Sequence, residues 1–333
     1  MARTRYAPDR GLTTRMTVTM FLLGLVFVAF VAAIIGIMTA VHASGASIVL
    51  IALIFGGGSA IASLFYSDKI ALAAAGAQLV EPKDAPELHA VVDRLCALAD
   101  MDKPRVAIAP TRMPNAFATG RNSKNSVLCV TDGLWNHSGL TLEEKEGVLA
   151  HELSHVAHKD VQVMTYASLL AIVAGLLVRF AFYSELFGGG RRGGNNNQGG
   201  IPVVLIIMAV SVVVYAVSFL LIRLLSRYRE LAADRSGALL TGQPSALASA
   251  LTKVSQGMSS IPTEDLRAAE PLNAFYFAPA MKLTRGGNGG GGPSLSQLFS
   301  THPSLDKRIE QLAKIQRQLG EQTPGGLSAG PGK

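Results

Sequence analysis

Four apolar stretches, at residues 16–41, 46–66, 163–182 and 201–222, constrain this chain more than any other feature. Each approaches or exceeds the roughly 20 residues that an α-helix needs to cross the hydrocarbon core of a bilayer. None contains a carboxylate, and the one basic residue inside them, Arg179, lies near enough to an end for its side chain to snorkel to the interface. The first follows a basic segment, as a signal peptide would. Its apolar run is too long for that, and a second follows almost at once, so it reads as a retained anchor. Composition agrees: 49% of residues are hydrophobic and only 16% charged, which excludes an ordinary soluble enzyme.

Removing the spans leaves enough chain for one compact domain assembled from two pieces, 67–162 and 223–319. The net charge of +7 does not indicate nucleic acid as a partner, because its arginines gather beside membrane ends. Arg3, Arg5, Arg10 and Arg15 precede the first span, and Arg223, Arg227 and Arg229 follow the fourth. Under the positive-inside rule the N-terminal segment, 1–15, is cytoplasmic, and four crossings return both soluble pieces to the cytoplasm. Arg191 and Arg192, in the connection at 183–200, run against that rule. Cys96 and Cys129 have neither zinc-knuckle nor redox spacing and read as two buried thiols.

Periodicity places a helix over 81–101, with Leu88, Val91, Val92, Leu95 and Leu98 on one face. Residues 105–109 and 126–131 read as strands, with a third over 115–120. Thr141 with Glu144 forms a capping box that opens a helix to about residue 158. A further helix continues out of the fourth span from 223 to about 240. The glycine-rich runs at 188–200 and 286–292 read as flexible connections, and 320–333 as a disordered tail.

The chemistry sits on the capped helix. In His151-Glu152-Leu153-Ser154-His155 the two histidines are four residues apart, so both imidazoles leave one face and can grip one metal ion. Glu152 is placed to reach a water at that metal without being a ligand, which is the metalloprotease arrangement around Zn²⁺. The bland alternative is a packed or solvated histidine pair. Catalytic zinc needs a third protein ligand, and Glu230 is the best candidate. It follows the fourth span by about as many residues as His155 precedes the third, so a helical hairpin brings both to one height. Asp234, one turn later, can take a hydrogen bond from the outer nitrogen of a ligating histidine. The alternative for Glu230 and Asp234 is a solvated face paired with Arg227 and Arg229. His158 reads as a polar residue near the interface, because a catalytic zinc must keep a position open. His42, His89 and His137 have no metal-like spacing.

These motifs, with Asn115-Ala116-Phe117-Ala118-Thr119-Gly120 and the late Thr301-His302-Pro303-Ser304 followed by Arg308, resemble the HtpX family of bacterial membrane heat-shock proteases, relatives of the CAAX prenyl proteases. The resemblance covers nearly the whole chain. It implies a gluzincin-like α+β domain, mainly helical with a small β-sheet, attached to four transmembrane helices. It also implies one Zn²⁺ per subunit held by His151, His155 and Glu230, with Asp234 behind them. His302 and Arg308 are implied to stabilise the oxyanion, and the strand with Asn115 and Ala116 to pair with substrate backbone. The expected function is a multi-pass cell-membrane zinc endopeptidase with Glu152 as base, its catalytic domain in the cytoplasm, acting in stress response and protein quality control on unfolded or membrane proteins. Self-association, or association with other membrane proteases, is compatible with it. Two other functions stand beside it: a site-specific processing protease of the CAAX type, and a membrane scaffold that binds zinc structurally. A scaffold has no use for a general base at Glu152.

Overall fold

The computed structural model describes residues 10–40, 68–120, 123–188, 203–259 and 302–321, with isolated helical positions at 58, 62, 65 and 66. The second apolar stretch, apart from those positions, lies outside the described residues, as do the run at 286–292 and the segments 189–202 and 322–333.

The two interior strands carry the β-branched residues Val106, Ile108, Val127, Val130 and Thr131. β1 (Gln78–Leu79), β2 (Arg105–Ala109), β3 (Ala116–Gly120) and β4 (Ser126–Thr131) make one sheet in the order β1-β2-β4-β3. The β2 and β4 strands run parallel, while β1 and β3 are antiparallel to their neighbours. All six residues of β4 are buried, as an interior strand requires, and β3 holds the edge. Side-chain period two divides the sheet into faces. Val106, Leu128, Val130 and Ala116 enter the main core, while Ala107, Ala109, Val127, Cys129 and Phe117 pack with Ala71 from the helical segment at 68–75.

The main core lies between the sheet and α2 (Pro86–Ala99), α4 (Leu142–Ala157), α7 (Pro244–Ser259) and α8 (Leu305–Glu321). A four-residue α3 (Asp132–Trp135) follows β4 directly. The α2 helix is shorter than periodicity suggests. It begins at Pro86, whose missing N–H costs nothing at a helix start, and stops where Asp100 turns left-handed at φ 54°. Cys96 and Cys129 are buried free thiols, and burial raises them to about 11 and about 12, so both remain protonated.

Two helices are long and apolar enough to cross a membrane among the described residues: Arg10–Ile37 within α1 (Arg10–Ala40), and Leu205–Thr241 within α6 (Val203–Thr241). The third apolar stretch lies in α5 (Asp160–Gly188), which qualifies only jointly with α4, across a 54° bend. Lys159, at φ 57°, makes that bend. Phe21, Leu25, Val28, Ile35, Val213 and Tyr215 are exposed on α1 and α6, in keeping with lipid-facing surfaces. The 39 residues of α6 span about 58 Å, nearly twice a hydrocarbon core of about 30 Å. The apolar run ends at Ile222, and α6 packs against α4.

Candidate metal centre

The α4 helix is fixed before its functional turn begins. Thr141 Oγ1 accepts from the Glu144 N–H at 3.3 Å, and Glu144 Oε2 accepts from the Thr141 N–H at 2.8 Å, which completes the capping box. Glu144 also accepts from Ser249 Oγ at 2.6 Å and Lys253 Nζ at 2.8 Å, which ties α4 to α7. Burial pushes this carboxyl up, but its hydrogen bonds from Lys253, Ser249 and Thr141 outweigh that and hold it below its ordinary value.

Ten residues into the helix, His151 and His155 meet edge to face with ring centroids 4.8 Å apart. Their Nε2 atoms are 3.2 Å apart. Glu230, from α6, sets Oε1 3.5 Å from His155 Nε2 and Oε2 3.8 Å from His151 Nε2. Each outer nitrogen faces a carboxylate: His151 Nδ1 lies 3.0 Å from Asp234 Oδ1, and His155 Nδ1 lies 2.7 Å from Asp160 Oδ2. Donation from both Nδ1–H groups leaves both Nε2 atoms as acceptors. Three acceptors therefore converge with no proton donor among them, and a cation satisfies all three. Ligands about 2.05 Å from a tetrahedral zinc stand about 3.3 Å from each other; the two Nε2 atoms are at that separation, and one ligand atom from each of His151, His155 and Glu230 lies within 4.8 Å of the other two.

The electrostatics follow from depth. Burial lowers His151 to about 4 in spite of Asp234, which keeps its imidazole neutral. Burial opposes ionisation of Glu230 too, but His302 and the two histidines outweigh it and hold its carboxyl well below the ordinary range. Glu152 is raised to about 8, chiefly by burial. Its Oε2 accepts from the Ala118 N–H at 3.2 Å, so the carboxylate beside the histidines also touches the edge strand.

Of the other residues expected from the sequence, Asp234, His302 and Arg308 stand against this group and Glu152 lies beside it. His302 Nδ1 lies 3.0 Å from Glu230 Oε2. Arg308, from α8, forks onto Asp234 through Nε at 2.8 Å and an Nη at 2.6 Å, while another Nη lies 3.8 Å from Glu230. The Asp234 carboxyl, opposed by burial, is held low by this guanidinium. Glu230 and Asp234 are thus buried, not the solvated face that was their alternative. Asn115 differs from expectation in detail. Thr131 takes both its main-chain groups, with Asn115 N–H donating to Thr131 Oγ1 at 2.8 Å and Asn115 O accepting from Thr131 N–H at 2.9 Å. By strand alternation, the main chain facing away from β4 begins at Ala116 and recurs at Ala118. His158 stands outside the donor group, with Nε2 3.3 Å from Ser236 Oγ.

Sequence reasoning missed three contributors. Asp160 lies just past the end of α4 and turns back to His155 only because of the bend at Lys159. Arg229 is buried, pairs with Asp160 and donates to the His158 carbonyl at 3.0 Å, where the sequence suggests a membrane-edge charge or a partner for Glu230 and Asp234 on a solvated face. Gly237 lets α6 approach α4 so closely that a Cβ there would lie 2.8 Å from the His151 nitrogen. The one available signal for Asp160 is its acidic side chain five residues after His155; Gly237 carries none.

A family model described as Peptidase family M48 matches residues 82–316. Protease HtpX homolog 1 of Streptomyces coelicolor is 55% identical over 96% of this chain and 97% of its own length. The Protease HtpX homolog of Moorella thermoacetica is 46% identical over 96% of this chain and 99% of its own. Protease HtpX homolog 2 of Methanosarcina mazei is 47% identical over 95% and 99%. Among solved structures, that of S. mikatae Ste24p aligns at a TM-score of 0.46 and 16% identity, over 91% of this chain and 66% of that one.

Proposed function

The chain belongs to peptidase family M48 and to its HtpX proteases, so it is a membrane metalloprotease, and we propose that its metal is one Zn²⁺ held by His151, His155 and Glu230. The convergence of three acceptor atoms, with both imidazoles turned by carboxylates behind them, carries this reading. Bound there, zinc supplies a Lewis acid for the scissile carbonyl and acidifies a water molecule.

The remaining work falls to the chain's own side chains. Glu152 takes the proton of the attacking water at its carboxylate and returns it to the departing amine, so no acyl-enzyme forms. Its burial favours a carboxyl that can hold a proton between those two steps. Asp234 and Asp160 hold the imidazoles in one tautomer, and Arg308 holds Asp234. His302, against Glu230, is the donor best placed to meet the tetrahedral oxyanion; Arg308, with its fork occupied, adds charge at longer range. An extended substrate segment pairs with the outward main chain of β3 at Ala116 and Ala118, and the Ala118 N–H exchanges Glu152 for that partner.

Main-chain pairing reads few side chains, which suits a protease that removes misfolded or damaged membrane proteins. We place the catalytic domain in the cytoplasm and the protein across the membrane four times, on the arginine distribution and the four apolar stretches. Metal analysis beside casein cleavage, with and without chelator, tests the mechanism. Glu152→Gln is expected to keep its zinc and lose cleavage, and an unimpaired Glu152→Gln enzyme refutes the mechanism.

A further inference from the structure

A second concave site lies behind the metal centre, where the soluble domain meets the bilayer. It is a cavity of about 290 Å³ between the start of α1, the turns of α6 just past its apolar run, and the start of α8. Three cations from three separate elements line it: Arg15, Arg227 and Lys307. Tyr228 and Ser304 add hydroxyl groups, and among the described residues no carboxylate lines it. Ser304 directly precedes the first turn of α8, where Asp306 supplies a negative charge but does not line the cavity.

The height of the cavity identifies the anion. Arg15 directly precedes the apolar run that starts at Met16, and Arg227 follows Ile222, the end of another, by little more than one helical turn. Both guanidinium groups therefore lie at the level of lipid headgroups, where a phosphate ester is the abundant oxyanion and the fork of an arginine matches it. We propose that this cavity binds a phosphate group, supplied by an anionic phospholipid headgroup. His302 lines the cavity on one side and faces Glu230 on the other, and Lys307 directly precedes Arg308. A headgroup seated there steadies the segment that delivers both residues to the metal centre, which couples the protease to the lipid around it.

Other membrane-edge cations provide the control. Arg223 stacks on Phe219 at 4.7 Å and Lys69 on Tyr66 at 5.6 Å, and neither these nor Arg10 line the cavity. Full-length protein in detergent is titrated with short-chain phosphatidylglycerol, with phosphatidylcholine and with inorganic phosphate, and bound species are counted by native mass spectrometry. Wild type is expected to retain phosphatidylglycerol in preference to phosphatidylcholine. The triple variant Arg15→Gln, Arg227→Gln, Lys307→Gln should lose at least tenfold of that affinity, while Arg10→Gln, Lys69→Gln, Arg223→Gln stays within twofold of wild type. Lys307 is exposed, so Lys307→Glu serves as a single change that leaves the fold intact and should lose affinity in the same direction. Lipid retention through these cations establishes the headgroup. Binding of inorganic phosphate alone keeps the cavity as a phosphate site but overturns the lipid assignment. Equal loss in both triple variants, or no binding of either ligand, overturns the proposal.

Discussion

Gly237→Ala tests whether the ligand geometry depends on how closely two helices approach. An added Cβ would stand 2.8 Å from the His151 nitrogen and 3.1 Å from Ala150 C and His151 Cα, all backbone atoms that cannot rotate away. Ordinary contact begins near 3.4 Å, so α6 and α4 must separate by about 0.6 Å locally. Overpacking of this kind costs about 1–3 kcal/mol of stability. Asp234 and Glu230 precede Gly237 by one and two helical turns, so the displacement reaches both. A metal site tolerates only about 0.2 Å in its ligand distances, and disturbing the residues behind the ligands lowers affinity about 10–100-fold. We therefore expect Gly237→Ala to fold and to lose at least tenfold in zinc affinity, measured by competition with a chromophoric chelator. Thermal unfolding in EDTA isolates the packing cost from the metal. Gly147→Ala is the control, because its Cβ would meet Leu247 of α7 at 3.2–3.3 Å, and α7 carries no ligand. It should lower apo stability and leave zinc affinity within twofold. Wild-type zinc affinity in Gly237→Ala would refute the dependence on helix approach.

Asp160→Asn keeps a hydrogen-bonding group near His155 but removes the charge that orients its ring and pairs with Arg229; zinc affinity is expected to fall about 10–100-fold, read by the same competition. Arg308→Lys loses the fork on Asp234, so cleavage should fall by more than zinc content does, which activity and metal analysis on one preparation can compare. Thr141→Ala removes the cap of α4 and should cost about 1 kcal/mol in unfolding experiments, without touching any ligand. Glu144 is held below its ordinary value of 4.5, so the stability it contributes is present above that pH and is lost as pH falls through the folded value. The wild-type melting temperature should accordingly drop more steeply on acidification than that of Glu144→Gln, and parallel profiles would contradict this.

Local rules carried far in this chain. The capping box at Thr141 fixed where α4 begins, and spacing alone placed His151 and His155 on one face with Glu152 beside them. Strands at 105–109 and 126–131 were legible because β-branched residues stand between clear breakers. The span count was less so, since hydropathy measures length and apolarity, not whether a helix bends; α5 meets the criterion only together with α4 across Lys159.

What the sequence determined by itself, then, is what depends on neighbours along one element: apolar length, helix face and cap. Tertiary structure alone decided the relations between elements. The pairing of Asp160 with His155 depends on a left-handed residue that no propensity specifies. The burial of Arg229, the commitment of Asn115 to Thr131 and the grip of Arg308 on Asp234 all depend on which segments meet. Gly237 matters because α4 passes within contact distance of its backbone. Hydrogen bonds and ion pairs act over a few ångströms in space, so residues 74 apart in the chain, such as Asp234 and Arg308, become partners only once the helices have packed.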